Sequence, residues 1–373
     1  MSYQEEPMKR ERNLESHDHS VFIDQHRFFP LLVRDLDSLD AEERLYIKQI
    51  YNSYSRESIE KLVSKNQIIP FAAHIFTNLD CDSNFWRSKY DYYVLRNNEI
   101  RSMLEDVFIA LKNYNCSSIT LTENFAALLA SESNIGCFCS GDVDLSADIL
   151  EQEKITECMN SIGFYSKEQP RSIGEYSGQS MQFFNTNVLS DGFWINVIWK
   201  PVTRAFLVQD KYEKRLSRDR LNATTLEGSS IRILESTSLL YFCALHSAAG
   251  HYFTLTPGLR LYVDIDRIVR NVNIDWDDII AWEQEDDAGI RISMSLYLSK
   301  KLLKTPIPEK AYKNLFLKKR NRRLANYLLD SKSNAIQSKS SKIRRLYVEL
   351  LSDNKFMFFN LIRRFYITIS SKL

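Results

Sequence analysis

The chain has 373 residues, with 49 Lys and Arg against 48 Asp and Glu and a formal net charge of +1. It is 44% hydrophobic and 12% aromatic with only 10 Gly and 8 Pro, long enough for two or three domains with real cores, and its composition argues against collagenous, low-complexity and repeat architectures. No apolar run is long enough to span a bilayer.

Residues 1–20 are polar, lack the apolar stretch of a signal peptide, and read as a disordered leader. Residues 21–115 form a helical segment. Ile59, Leu62 and Val63 recur at helix spacing, Ile69-Pro70 interrupts, and Phe71, Ile75 and Leu79 resume the period. Residues 93–112 make an amphipathic helix with Leu104, Val107, Phe108 and Leu111 on one face. Residues 116–232 read as a small α/β core. It begins with a strand at 118–121 and a short helix at 125–130 for which Thr122 is the expected N-cap. A loop at 133–140 leads to a strand holding Asp142 and Asp144. A helix follows at 148–161, its inward residues Ile155, Cys158, Met159 and Ile162, and Gly163 ends it. Strands at 180–185 and 193–199 flank an Asp191-Gly192 turn. Residues 233–330 are helical again, and Asp275-Trp276-Asp277-Asp278 opens one helix with a capping, dipole-favoured charge. Residues 331–373 are a linker and a basic, aromatic tail. The expected fold class is α+β: a small mixed sheet between two helical segments.

The sequence centres on Cys139-Ser140-Gly141-Asp142-Val143-Asp144-Leu145. In a strand, residues two apart share a face, so Asp142 and Asp144 project together while Val143 and Leu145 turn to a core. Two carboxylates side by side repel one another unless a cation lies between them. Hard divalent ions such as Mg²⁺ use one or two carboxylates together with substrate phosphates. A strand edge with two solvated aspartates is the plain alternative. In the run 193–199, Trp194, Asn196 and Ile198 share one face, and one pairing register sets Asn196 beside the two aspartates.

With that order of elements, the chain resembles the nucleotidyltransferases of the DNA polymerase beta superfamily found in bacterial polysaccharide-biosynthesis settings. The resemblance covers about residues 58–308. It is carried by Gly141-Asp142-Val143-Asp144-Leu145 against the family's Gly-Asp-Ile-Asp-Leu, by the strand-turn-helix run 119–129, and by the strand 195–199. His246, His251, Arg260, Asp264 and Asp275-Trp276 fall where that family tends to have the same residues. The resemblance implies an Mg²⁺ or Mn²⁺ site at Asp142 and Asp144, which are also the implied catalytic pair, and an NTP as substrate. The implied reaction is in-line transfer of a nucleotidyl group to a small-molecule or glycan-related acceptor. Thr122, Asn124, Ser140, Gly141, Asn196 and Lys200 are the implied nucleotide-side contacts.

Two positions depart from the family. Thr122-Glu123-Asn124 stands where a Lys-Gly helix start cradles phosphate, and a carboxylate there satisfies the helix dipole itself. Asn196 stands where a third carboxylate belongs, and Asp191 is a poor substitute from its turn. These departures support an alternative: a catalytically impaired relative that keeps the fold for ligand binding or complex assembly.

Other candidates have plain readings beside the functional ones. His246 and His251 are five apart, off the spacing that puts two histidines on one helix face, and suit a core or capping role. Arg260 and Asp264 are an i, i+4 pair that either bonds along its own helix or lines a cleft against the sheet. Lys200 and Arg204 follow a strand and face phosphate or solvent. Cys81, Cys116, Cys137, Cys139, Cys158 and Cys243 show no Cys-x-x-Cys pair or zinc spacing, as reduced thiols in the cytoplasm would. Residues 310–373 hold 16 Lys and Arg against 3 Asp and Glu. This tail suits either an anionic membrane surface, at the inner face, or packing on the acidic body. The acidic body and the lack of a nucleic-acid motif argue against a nucleic-acid partner.

Overall fold

The computed structural model describes residues 25–167, 180–185, 193–199, 223–249, 258–285 and 289–316, with single residues between and beyond them. The expected leader, the Asp191-Gly192 turn, Lys200, Arg204 and the basic tail lie outside the described residues. The α+β expectation holds: one mixed sheet is flanked by helices on both sides in sequence. No helix among the described residues is long and apolar enough to cross a membrane.

The N-terminal segment contains α1 (Gln25–Leu32), α2 (Ala41–Asn52), α3 (Arg56–Lys65), α4 (Ile69–Asn78) and α5 (Ser83–Asn113). Its boundaries have local causes. Asp40 and Glu43 form a reciprocal capping box at the head of α2, satisfying two N–H groups that the helix itself leaves unpaired. Pro70 does not break a helix but begins α4, where its missing N–H costs nothing. The 31 residues of α5 start ten earlier than their apolar period at 93–112 indicated. The extra turns bury Trp86, whose Nε1 donates to the Tyr51 hydroxyl at 2.9 Å.

Seven strands follow: β1 (Thr120–Thr122), β2 (Asp142–Ser146), β3 (Tyr165–Lys167), β4 (Ser180–Phe184), β5 (Trp194–Ile198), β6 (Ala223–Thr225) and β7 (Arg232–Leu234). Among the described residues they form one sheet in the order β3-β4-β5-β2-β1-β7-β6. β2 lies in the middle, antiparallel to β1 and parallel to β5. The 193–199 run becomes β5 because its alternation buries Ile195 and Val197 at 0% exposure while Asn196 turns to the other face. β3, β6 and β7 were not anticipated. Each is three residues long, too short for an alternating pattern to stand out.

Among the described residues, two helices sit within the sheet's connections. α6 (Glu123–Ala130) starts directly after β1, and α7 (Gln152–Ser161) follows a 3₁₀ turn at Ile149–Glu151 capped by Asp148. The helix expected from 148 thus opens as a tighter turn. Gly163 ends the segment at φ +87°, a conformation that suits glycine. After β7 come α8 (Ser236–Ala249), α9 (Leu259–Asn271), α10 (Trp276–Glu285), α11 (Gly289–Leu303) and α12 (Glu309–Phe316). Small residues let α8 and α11 approach closely: Ser295 Oγ donates to Ala244 O at 2.7 Å and lies 2.7 Å from Ser247 Oγ. Buried apolar side chains from Phe28 to Ala311 form one connected core.

Long-range polar contacts join the helical segment to the sheet. On α5, the fully buried Asn97 donates from Nδ2 to Ile135 O at 2.7 Å, and Arg96 Nη2 donates to Ser140 O at 2.9 Å. Both hold the loop that enters β2. The second satisfies a buried carbonyl, and losing such a partner costs about 1–3 kcal/mol.

Candidate active site

β2 presents Asp142 and Asp144 on one face, with Val143 and Leu145 fully buried on the other. Asp144 is itself only 8% exposed. In the ladders it stands opposite Thr122 of β1 and Asn196 of β5. The second pairing is the register expected from strand alternation. Asn196 Nδ2 donates to Asp144 Oδ1 at 2.7 Å, and its own Oδ1 is buried with no hydrogen-bond partner.

The other flank of Asp144 begins at the β1–α6 junction. Thr122 does not cap α6 with its side chain; its Oγ1 instead donates to Asp144 O at 3.1 Å. Glu123 then turns the chain at φ +60°, a left-handed conformation that costs a residue with a Cβ on the order of 1 kcal/mol. Glu123 is 7% exposed as a residue, and its carboxyl is hydrogen-bonded to that of Asp144. Burial pushes Glu123 up to about 7, the Asp144 hydrogen bond opposes this, and the charge of Asp142 adds to it. Burial, then the charges of Glu123 and Asp142, hold Asp144 well above the usual carboxylate range against the Asn196 hydrogen bond. Two carboxyls in such contact hold a proton between them.

Behind Glu123 stands a histidine pair. His246 of α8 places Nδ1 3.0 Å from Glu123 Oε1, and its Nε2 lies 2.9 Å from His251 Nε2. His246 touches the acid beside Asp144. The five-residue spacing obscured this because α8 ends at Ala249, so His251 is not on the helix and returns to meet His246.

The loop before β2 is held from two directions. Ser140 Oγ donates to Asp142 Oδ1 at 2.7 Å and accepts from Arg260 Nη1 at 2.9 Å. Arg260 Nη1 also donates to Cys139 O at 3.2 Å. Arg260 therefore reaches across to the loop beside the sheet. Asp264 meets Arg267 at 3.7 Å, and burial pushes it up to about 6 against the charges of Arg267 and Arg260. A Cβ on Gly141 would meet the Trp194 ring at 3.4 Å, an ordinary contact.

Of the residues singled out in the sequence, Asp142, Asp144, Ser140 and Asn196 come together. Thr122 braces backbone, and Asn124 spends its Oδ1 on the N–H of Phe125 at 2.7 Å. Glu123, His246 and Arg96 are the participants that spacing did not reveal.

A family of uncharacterised nucleotidyltransferases has a sequence pattern that matches residues 55–304. The chain belongs to that family. No curated protein and no solved structure matches it. The match spans both flanks of Asp144 and ends just after α11. Set in a nucleotidyltransferase, Asp142 and Asp144 on one strand face, with Asn196 beside Asp144, offer hard oxygen donors of the kind divalent cations take. Among the described residues, no three His, Cys, Asp or Glu side chains are spaced as a metal cage. A cation shared with substrate phosphates does not require a closed cage. The orphaned Asn196 Oδ1 and the crowded acids fit such an ion.

Proposed function

We propose that this nucleotidyltransferase is of the polymerase beta type. In this reading it moves a nucleotidyl group from an NTP to a hydroxyl of a small-molecule or glycan-related acceptor, with Mg²⁺ or Mn²⁺ held by Asp142 and Asp144. The acceptor oxygen bonds to the α-phosphorus as the bond to pyrophosphate breaks, and the hydroxyl proton leaves with solvent or base. When bound, such an ion offsets phosphate charge and lowers the pKa of the attacking hydroxyl. The observation that carries the reading is the Asp142/Asp144 pair on one strand face with Asn196 opposite Asp144, inside the family match.

The chain's own residues supply orientation. Asn196 holds the Asp144 carboxylate from β5, and Ser140 holds Asp142. Arg260 fixes Ser140 and brings positive charge to the rim of the site. Arg96 fixes the same loop from below, through Ser140 O. Pre-set ligands of this kind spare the reorganisation that a loose site would need.

The catalytically impaired alternative is favoured by one feature. Glu123 heads α6, so its acid occupies the helix end that would otherwise attract phosphate. Titration with each of the four ribonucleoside triphosphates, with and without Mg²⁺, separates the two. Mg²⁺-dependent binding with pyrophosphate release is the expected result. No binding at millimolar nucleotide supports the non-catalytic relative.

A further inference from the structure

We infer that the cavity between α1, α4, α9 and the loop after α6 is a second binding site, for a small molecule that presents a carboxylate to Arg34 and Arg267. It is separate from the nucleotidyl-transfer site and does not depend on that reading.

The cavity has a volume of about 310 Å³, inside the range of about 300–1,000 Å³ that small-molecule sites occupy. It lies at the tail of α6, where Ser131 and Ser133 line it, whereas Glu123 stands at the head of that helix. A helix of this length separates the two ends by about 12 Å. None of Asp142, Asp144, Glu123 and Asn196 lines the cavity.

Its wall holds two unspent donors. The Arg34 and Arg267 side chains are 4% and 7% exposed. The tip of each guanidinium is fixed by the protein. Arg34 donates from Nη1 to Glu43 Oε1 at 2.8 Å and from Nη2 to Ser38 O. Arg267 donates from Nη2 to Cys137 O at 3.1 Å, and its Nη1 lies 3.7 Å from Asp264 Oδ1. The Nε of each is buried and has no hydrogen-bond partner among the described residues. Native structures leave few buried donors unpaired, because each is destabilising. A carboxylate accepts through two oxygens and suits the N–H groups of a guanidinium.

The charges of the wall favour the same group. Its buried charged side chains are Arg34, Arg267 and Asp266. Asp266 is already spent on Arg270 Nε, at 3.0 and 2.9 Å, and on Thr305 Oγ1 at 2.7 Å. Asp35 and Glu132 also line the cavity but are exposed, where water screens them. Glu43 and Asp264 already answer the two arginines. A ligand with one negative charge is therefore matched better than a phosphate with its larger charge. The competing account is ordered water that fills the cavity and takes both N–H groups.

The test uses the full chain and three probes, succinate, L-glutamate and inorganic phosphate, each compared with chloride at equal ionic strength. Binding is read by calorimetric titration and by melting. At least one of the two carboxylates is expected to bind saturably, one per chain, and to raise the melting temperature where chloride does not. Arg267→Lys keeps the charge and removes the guanidinium Nε. It is expected to weaken that binding about tenfold or more, the scale of one hydrogen bond to a charged group. Ser133→Phe puts a ring into the cavity wall, leaves both arginines in place and is expected to abolish binding, so it carries the test if Arg267→Lys fails to fold. Circular dichroism checks the fold of each variant. Carboxylates that bind no better than chloride overturn the inference and leave the water-filled cavity. Phosphate binding tighter than both carboxylates overturns the ligand class. Wild-type carboxylate binding by the folded variants overturns the placement.

Discussion

Asp144 is flanked by two arrangements built on different principles. On one side, β5 runs parallel to β2 over five paired residues, and the ladder itself delivers Asn196 to Asp144. The side chain there is neutral and its backbone is ordinary strand. On the other side, a strand turns into a helix, the turning residue is left-handed, and its acid leans on a histidine from α8. The ladder flank is held by backbone hydrogen bonds and tolerates many side chains. The junction flank depends on strain and on a contact between segments far apart in sequence. The negative charge sits on the flank that is harder to build, which is where activity and stability should pull in opposite directions.

Removing the acid that both flanks serve gives the largest effect. Asp144→Asn is expected to lower nucleotidyl transfer by about 10³-fold, the scale of losing one preorganised charge contact. The same change replaces a buried acid beside two others with a neutral amide. Thermal unfolding should therefore move up, by about 1 °C if the gain is near 1 kcal/mol. Activity measured by pyrophosphate release and melting by calorimetry check the two signs together. A variant that loses both activity and stability would show that Asp144 is chiefly structural.

The next effect is on pH dependence and belongs to the junction flank. Glu123 is raised from 4.5 to about 7 and Asp264 from 3.8 to about 6. A carboxyl whose folded pKa is raised keeps its proton in the native state after the unfolded chain has lost it. Its stabilising contribution is complete below the unfolded pKa and is lost as pH rises through the folded one. Between about pH 4.5 and pH 7 the metal-free protein should therefore become less stable as pH rises. Glu43, lowered to about 2, acts in the opposite sense only below that window. Melting curves across the window test the slope, and Glu123→Gln should flatten it. An unchanged slope in that variant would place the titrating group elsewhere.

The same contrast explains what was legible in the sequence. The ladder flank was readable because strands repeat every two residues. From that period alone, Asp142 and Asp144 share a face and Asn196 is one register from Asp144, and the structure has that register. The helical segments were readable for a similar reason, since buried positions such as Leu104, Val107, Phe108 and Leu111 recur at helix spacing. The junction flank has no period. A left-handed Glu123 cannot be read from its neighbours, and Thr122 stands at the expected cap position while its hydroxyl bonds Asp144 O instead of a helix N–H. His246 meets Glu123 only because α8 packs on α6, and His251 reaches His246 by leaving the helix. Arg260 and Asp264 looked like a pair along α9, yet Arg260 bonds the Ser140 loop and Asp264 approaches Arg267. Side chains that meet through tertiary packing leave no mark at the spacing of one element.

The smallest expected effect comes from the outermost part of the junction flank. His246→Ala removes the ring that meets Glu123 Oε1, and His251→Ala removes the ring behind it. Because His246 holds Glu123 beside Asp144, His246→Ala should weaken Mn²⁺ binding at Asp142 and Asp144 by about tenfold, the low end for an orienting contact. His251→Ala should cost less, about two- to threefold, because it acts through His246. His246→Asn should fall between wild type and His246→Ala, since an amide keeps a polar group near the position of Nδ1. The double alanine variant should bind no more weakly than His246→Ala alone, because once His246 is gone His251 has nothing to pass on to Glu123. Calorimetric titration of the four variants and wild type reads all of these. Equal and additive losses from the two histidines would mean that each acts on the site by its own route, and the junction flank would then be a cluster of independent contacts rather than a chain.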